Sequence, residues 1–173
     1  MSEEKLTPVM QQYVNIKERF PDSILFFRLG DFYEMFFRDA EIVSEELDLT
    51  LTCRNRKSEN PVPMAGVPFH SAASYINRLV RKSYKVAICE QVSEPGGKDI
   101  VGREVVRVVT PGTVLEEDAL VNDSNNFICS LYFTGVYNLA YCDISTGEFL
   151  TTSVYEEEML SELNKIAPSE LLI

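Results

Sequence analysis

The dipeptide Gly30-Asp31 separates two aromatic-rich runs, Ile24 to Leu29 and Phe32 to Phe36, and nothing else in the chain limits the fold as tightly. Gly-Asp suits a turn that needs positive φ at its first central position, so the segment predicts a β-hairpin. On the returning strand side chains alternate with period two, which puts Phe32 and Glu34 on one face. On a helix the same two would point roughly 200° apart. A flat apolar ring then stands beside one hydrogen-bonding carboxyl. Two readings stay open from the residues alone. Strands enrich Phe and Tyr simply to build cores. The same pair could also enter a base step of duplex DNA from the minor groove, the ring stacking and the carboxyl testing a base edge.

Thr7 followed by Pro8 predicts a helix start, and Val9, Tyr13, Ile16 and Phe20 recur with helical spacing until Pro21. After the hairpin, Asp39 is expected to cap a second helix with Ala40, Val43 and Leu47 as its apolar stripe and Glu41, Glu45 and Glu46 facing water. Leu49, Leu51 and Cys53 alternate with Thr50 and Thr52, which predicts a strand, and Arg54 to Asn60 reads as a loop. Prolines 61, 63 and 68 make residues 61 to 68 extended but unsuited to a central strand. Ser71 precedes a third helix that buries Ala72, Ile76, Leu79 and Val80 and leaves Asn77, Arg78, Arg81 and Lys82 outside. Strands at Val86 to Val92 and Glu104 to Val109, with a loop at Glu94 to Lys98, complete the unit.

Residues 1–115 thus read as an α/β domain with a mixed sheet surrounded by helices. The acidic segment 116–126 reads as a linker. Beyond it, Phe127 to Phe133, Tyr137 to Ile144 and Glu148 to Val154 form a β-meander, followed by an acidic helix from Tyr155 to Ile166 and a further strand at Glu170 to Ile173. Residues 127–173 leave a sheet face partly covered, so the expectation is an excised fragment with a truncated second domain.

Charge divides the 173-residue chain unevenly, although its net charge of −11 argues, taken whole, against a nucleic-acid binder. Residues 1 to 53 hold 5 basic and 11 acidic side chains, residues 54 to 115 hold 10 and 5, and residues 116 to 173 hold 1 and 11. A local basic block is what phosphate contact requires, and Arg54, Arg56, Lys57, Arg78, Arg81, Lys82, Lys85, Lys98, Arg103 and Arg107 supply it. Solvated helix faces account for such residues equally well. No window approaches the roughly 20 apolar residues of a membrane span, and Met-Ser-Glu-Glu-Lys does not start a secretory signal. A cytoplasmic protein is expected. Cys53, Cys89, Cys129 and Cys142 lack Cys-x-x-Cys spacing and are expected to be small buried hydrophobes.

Five ordered blocks carry a family resemblance. Thr7 to Tyr13, Phe27 to Glu34, Pro63 to His70, Ala87 to Val92 and Val106 to Thr113 resemble, in order and interval, the start of the MutS family of bacterial DNA mismatch-repair proteins. The resemblance implies a mismatch-recognition domain followed by the start of a connector similar to the ribonuclease H fold. It implies that Phe32 stacks on a mispaired base and that Glu34 hydrogen-bonds to it. Arg54 and Arg107 are expected at phosphate or groove, with Pro63 and Met64 as apolar groove neighbours. Mismatched duplex DNA is the implied partner, with a MutL-like protein on the connector, a homodimer for the full-length protein and a nucleoid-associated location. A paralogue serving as a protein-interaction scaffold without mismatch reading is the alternative.

The resemblance also places the family's ATPase, with its ATP and magnesium, in a C-terminal domain outside this chain, so no cofactor and no enzyme activity are expected here. Gly96-Gly97-Lys98 lacks the glycine four residues earlier and the hydroxyl after lysine that a phosphate loop needs; Val92 and Asp99 stand there. His70 is the only histidine, which leaves no serine-histidine or cysteine-histidine pair, and it is expected as a helix-start residue. Asp143 alone cannot hold two metals.

Overall fold

Thr7 caps the first helix as expected: its hydroxyl accepts the Met10 amide at 3.4 Å, and Pro8 opens α1, Pro8–Arg19. Helical spacing then buries Met10, Tyr13 and Ile16 on one face. The computed structural model describes residues 6–54, 61–92, 101–114 and 125–173. Most of the expected linker, the loop at Glu94 to Lys98 and most of the Arg54 to Asn60 loop lie outside these residues. Two units divide the chain, Met1–Val109 and Thr110–Ile173.

In the first unit β1 (Ser23–Leu29), β2 (Phe32–Phe36), α2 (Phe37–Leu47), β3 (Thr52–Arg54), β4 (Val62–Pro68), α3 (Ala72–Arg81), β5 (Lys85–Gln91) and β6 (Arg103–Val109) follow α1. The sheet order is β3-β4-β2-β1-β5-β6. Only β1 and β5 run parallel, so the sheet is mixed, as expected of an α/β domain. Leu25, Phe27, Phe36, Ala87 and Cys89 bury against Met10, Tyr13 and Ile16 of α1. Tyr13 packs edge-on to Phe27 and Phe36 at 5.4 and 5.1 Å, contacts worth about 0.5–1.5 kcal/mol each beyond area burial.

Several local expectations are corrected. Asp39 does not cap α2; it lies inside the first turn, 3% exposed, and accepts from Tyr13 Oη (2.8 Å), Lys17 Nζ (2.9 Å) and the Leu25 amide (3.0 Å). Residues 62–68 form an interior strand despite their prolines. β3 faces only Val62 to Met64 and β2 only Met64 to Pro68, so Pro63 and Pro68 each sit beside a single neighbouring strand and no ladder bond is lost on two sides. The third strand is shorter than expected and opposite in phase: Leu51 and Cys53 are exposed while Thr52 turns inward and donates to the Met64 carbonyl at 2.9 Å. Asn77 is buried, because α3 packs on α2 as well as on the sheet and its covered stripe is wider than one face.

The second unit opens with a 3₁₀ turn, Pro111–Thr113, bracketed by Thr110 and Thr113 as a capping box. Its strands β7 (Phe127–Phe133), β8 (Tyr137–Asp143) and β9 (Phe149–Val154) form the expected meander. Then come α4 (Glu156–Ile166) and β10 (Glu170–Leu172), which pairs parallel to β7 in the order β10-β7-β8-β9. Glu170 ties this edge to the turn, its Oε2 accepting from Thr110 Oγ1 at 2.5 Å and the Gly112 amide at 3.2 Å. Cys129, Leu139 and Ile166 form a small core on one sheet face. No helix among the described residues is long and apolar enough to cross a membrane.

Candidate nucleic-acid interface

Gly30 adopts φ +60°, the conformation its missing Cβ permits, and the chain returns at Phe32 as the hairpin rule requires. Of the aromatic residues on β1 and β2, Phe26, Phe27, Tyr33 and Phe36 are buried, whereas Phe32 is 47% exposed. Glu34 shares its face. Phe32 stands opposite Pro68 and Glu34 opposite Gly66 on β4. With no side chain at Gly66, the strip beside Glu34 stays open; a Cβ there would sit 3.7 Å from Glu34 Cγ and 4.0 Å from Phe32 Cδ1. The result is a depression of about 430 Å³ lined by Phe32, Glu34, Leu49, Thr50, Thr52, Met64 and Gly66.

Glu34 is not a free carboxylate. Arg54 Nη1 lies 3.1 Å from its Oε2, and the Arg54 guanidinium stands 5.8 Å from the Phe36 ring centroid. Burial raises the Glu34 carboxyl above its ordinary 4.5, and Arg54 pulls it back only in part. A half-buried acid with a raised pKa can accept from a base N–H when ionised and donate to a base acceptor when protonated.

The expected site residues are not all brought together. Phe32, Glu34, Arg54 and Met64 share one sheet face. Pro63, next to Met64 and opposite Cys53, belongs to the other face by strand alternation. Arg107 pairs with Ile88, which pairs with Phe26, so it lies on the face opposite Glu34 and three ladders from β2. Three other residues of the basic block, Lys82, Arg78 and Arg103, are engaged by the fold. Lys82 donates to the Glu46 carboxylate and carbonyl at 2.7 and 2.9 Å, and Arg78 reaches the Leu47 carbonyl at 3.4 Å, so α3 offers cations to the C-terminal end of α2. Arg103, 8% exposed, donates to the Arg28 carbonyl at 2.7 Å and to Gln12 Oε1 at 2.8 Å. Arg56, Lys57 and Lys98 lie outside the described residues.

Two family models match the chain: MutS domain I over residues 7–118 and MutS domain II over residues 126–173. The chain belongs to the MutS family. A protein of Alkaliphilus oremlandii is 51% identical over 174 residues, covering 97% of this chain and 20% of that protein. One of Staphylococcus haemolyticus is 53% identical over 170 residues (96% and 19%), and one of Clostridium tetani 53% over 173 residues (98% and 20%). Each is named DNA mismatch repair protein MutS. This chain spans about one fifth of their length.

Within the MutS domain I region, sequence reasoning missed three contributors. Gly66 was legible in principle, since a glycine inside a strand marks close approach or an open strip. The Glu34–Arg54 ion pair bridges 20 positions and has no local signature. Phe69, 44% exposed, carries the Arg28 guanidinium 3.8 Å from its ring centroid. His70 lies exposed in the 3₁₀ turn Phe69–Ser71 that precedes α3, edge-on to Phe69 at 5.9 Å. In the MutS domain II region Asp143 is buried and accepts from the Ser145 amide and hydroxyl at 2.8 and 2.6 Å, which is a turn-stabilising role. Among the described residues no group of three or more His, Cys, Asp or Glu is placed to hold a metal.

Proposed function

We propose that the Met1–Val109 unit reads mispaired or unpaired bases in duplex DNA and so initiates mismatch repair as part of a longer MutS protein. The observation that carries this reading is the exposure of Phe32 beside Glu34, on strands whose other aromatic residues are buried. A mismatched step has lost pairing and stacking, so kinking it costs less than kinking a matched one, and deformability rather than sequence is what the protein reads. Stacking the Phe32 ring on the displaced base returns about 1–3 kcal/mol. Glu34 then sets specificity. Its charge, only partly offset by Arg54, penalises ordinary duplex, while at a mismatch the carboxyl accepts from or donates to a base edge. Met64 lines the depression beside the ring, and Arg54, the ion-pair partner of Glu34, takes a phosphate.

The same family reading assigns ATP and magnesium chemistry and a second subunit to other parts of the longer protein. It assigns a MutL-like partner to the Thr110–Ile173 unit and places the whole in the cytoplasm at the nucleoid. The acidity of residues 116 to 173 favours a basic protein partner for that unit over DNA.

Fluorescence-anisotropy titration of the chain against a G·T-mismatched duplex and its matched control tests the reading. The expected result is weak binding that falls steeply with salt, a preference for the mismatch, and loss of that preference in Phe32→Ala. Equal affinity of the unaltered chain for both duplexes at low salt would refute it.

A further inference from the structure

A wedge works only if it is held before the DNA arrives, because ordering a loose segment on binding consumes the affinity its contacts supply. Phe32 follows Gly30, the residue with the greatest backbone freedom. Yet both turn carbonyls are engaged. Arg28 Nε donates to the Gly30 carbonyl at 2.5 Å, and the Phe69 amide donates to the Asp31 carbonyl at 2.9 Å. The Arg28 side chain, 17% exposed, is itself fixed on three sides. Its guanidinium lies 3.8 Å from the Phe69 ring centroid and 5.5 Å from that of Tyr33, and Nη1 stands 4.0 Å from Glu90 Oε2. The Tyr33 hydroxyl donates to the other Glu90 oxygen, and burial together with this bond pushes the phenol up to about 12. Arg28 stands opposite Tyr33 in the ladder, so the whole assembly occupies the sheet face behind Phe32 and Glu34 and takes no part in lining their depression.

We propose that Arg28 is a positioning residue for Phe32, a bracket that joins the Gly30 carbonyl to Phe69, Tyr33 and Glu90 and holds the hairpin tip in its inserting geometry. The inference rests on the reading of Phe32 as a wedge. Arginine is required rather than lysine, since only a planar guanidinium stacks on Phe69 while its Nε donates sideways.

Backbone ¹⁵N relaxation of the chain, paired with mismatched and matched duplex titrations, tests it in R28A, R28K, E90Q and F32A. R28A and R28K are expected to lower the order parameters of Gly30, Asp31 and Phe32 relative to the rest of β1 and β2. They should also cut the mismatch preference about tenfold, the size of one lost charge-assisted hydrogen bond. E90Q, which keeps the packing, should loosen the tip less and covers the case in which R28A does not fold. Unchanged order parameters at the tip in R28K and E90Q, or full rescue of the preference by lysine, would overturn the proposal. F32A separates the two claims: a mismatch preference that survives in F32A refutes the wedge, while the order parameters still judge the bracket.

Discussion

The two units spend their aromatic residues differently. The Met1–Val109 unit buries Tyr13, Phe26, Phe27, Tyr33 and Phe36 and leaves exposed Phe32 at the hairpin tip and Phe69, whose amide bonds the tip carbonyl of Asp31. The Thr110–Ile173 unit buries a small core on one sheet face and exposes Tyr132, Phe133, Phe149 and Tyr155. Exposure of an aromatic ring is therefore informative in the first unit, where most rings on the hairpin strands are buried, and uninformative by itself in the second.

That contrast can be broken most forcefully at Phe36. It lies on the same face of β2 as Phe32 and is fully buried, so Phe36→Ala should destabilise the first unit by about 3–5 kcal/mol in chemical denaturation. Leu139→Ala in the smaller second core should cost roughly 2–3 kcal/mol, the lower part of the range for such truncations, since its surroundings can collapse more easily. A cost equal to that of Phe36→Ala would show the two cores to be equally specified.

Glu34 gives a smaller effect with a defined pH signature. Its folded-state pKa is raised, so the folded unit holds the proton more tightly than the unfolded chain, and the stability linked to it is fully present below pH 4.5 and lost as pH rises through the raised value. Glu34→Gln should therefore be more stable than the unaltered chain at pH 7, by roughly 1 kcal/mol or less. The advantage should shrink as pH falls through the raised value and vanish only below pH 4.5, which denaturation midpoints across that window would record. Smallest of all, Phe149→Ala on the exposed face should shift stability by no more than about 0.5 kcal/mol.

What could be read from the residues follows the range of the interactions involved. α1 is legible because Thr7, Pro8, Tyr13 and Ile16 act within a few turns of one another. The hairpin is legible because Gly30 supplies the positive φ its turn needs. Asp39 misleads because its acceptor role depends on Tyr13 and Leu25, 26 and 14 positions away, which no capping rule can see. The prolines of β4 mislead for a similar reason: whether a missing N–H matters depends on which strand lies alongside, and that is decided by β2 and β3. At the site, the period-two relation of Phe32 and Glu34 is local and readable. Arg54 as the carboxylate's partner, Gly66 as an open strip and the placement of Arg107 on the opposite face emerge only from the sheet order.

The most direct test of the account compares Phe32→Ala with Phe36→Ala, two truncations of the same ring on the same strand face. Denaturation midpoints and mismatched-against-matched duplex affinities should be measured for both. For Phe32→Ala we expect stability within about 0.5 kcal/mol of the unaltered chain together with loss of mismatch preference. A collapse of its midpoint comparable to that of Phe36→Ala, or an unchanged preference with the fold intact, would contradict the assignment of Phe32 as an exposed wedge.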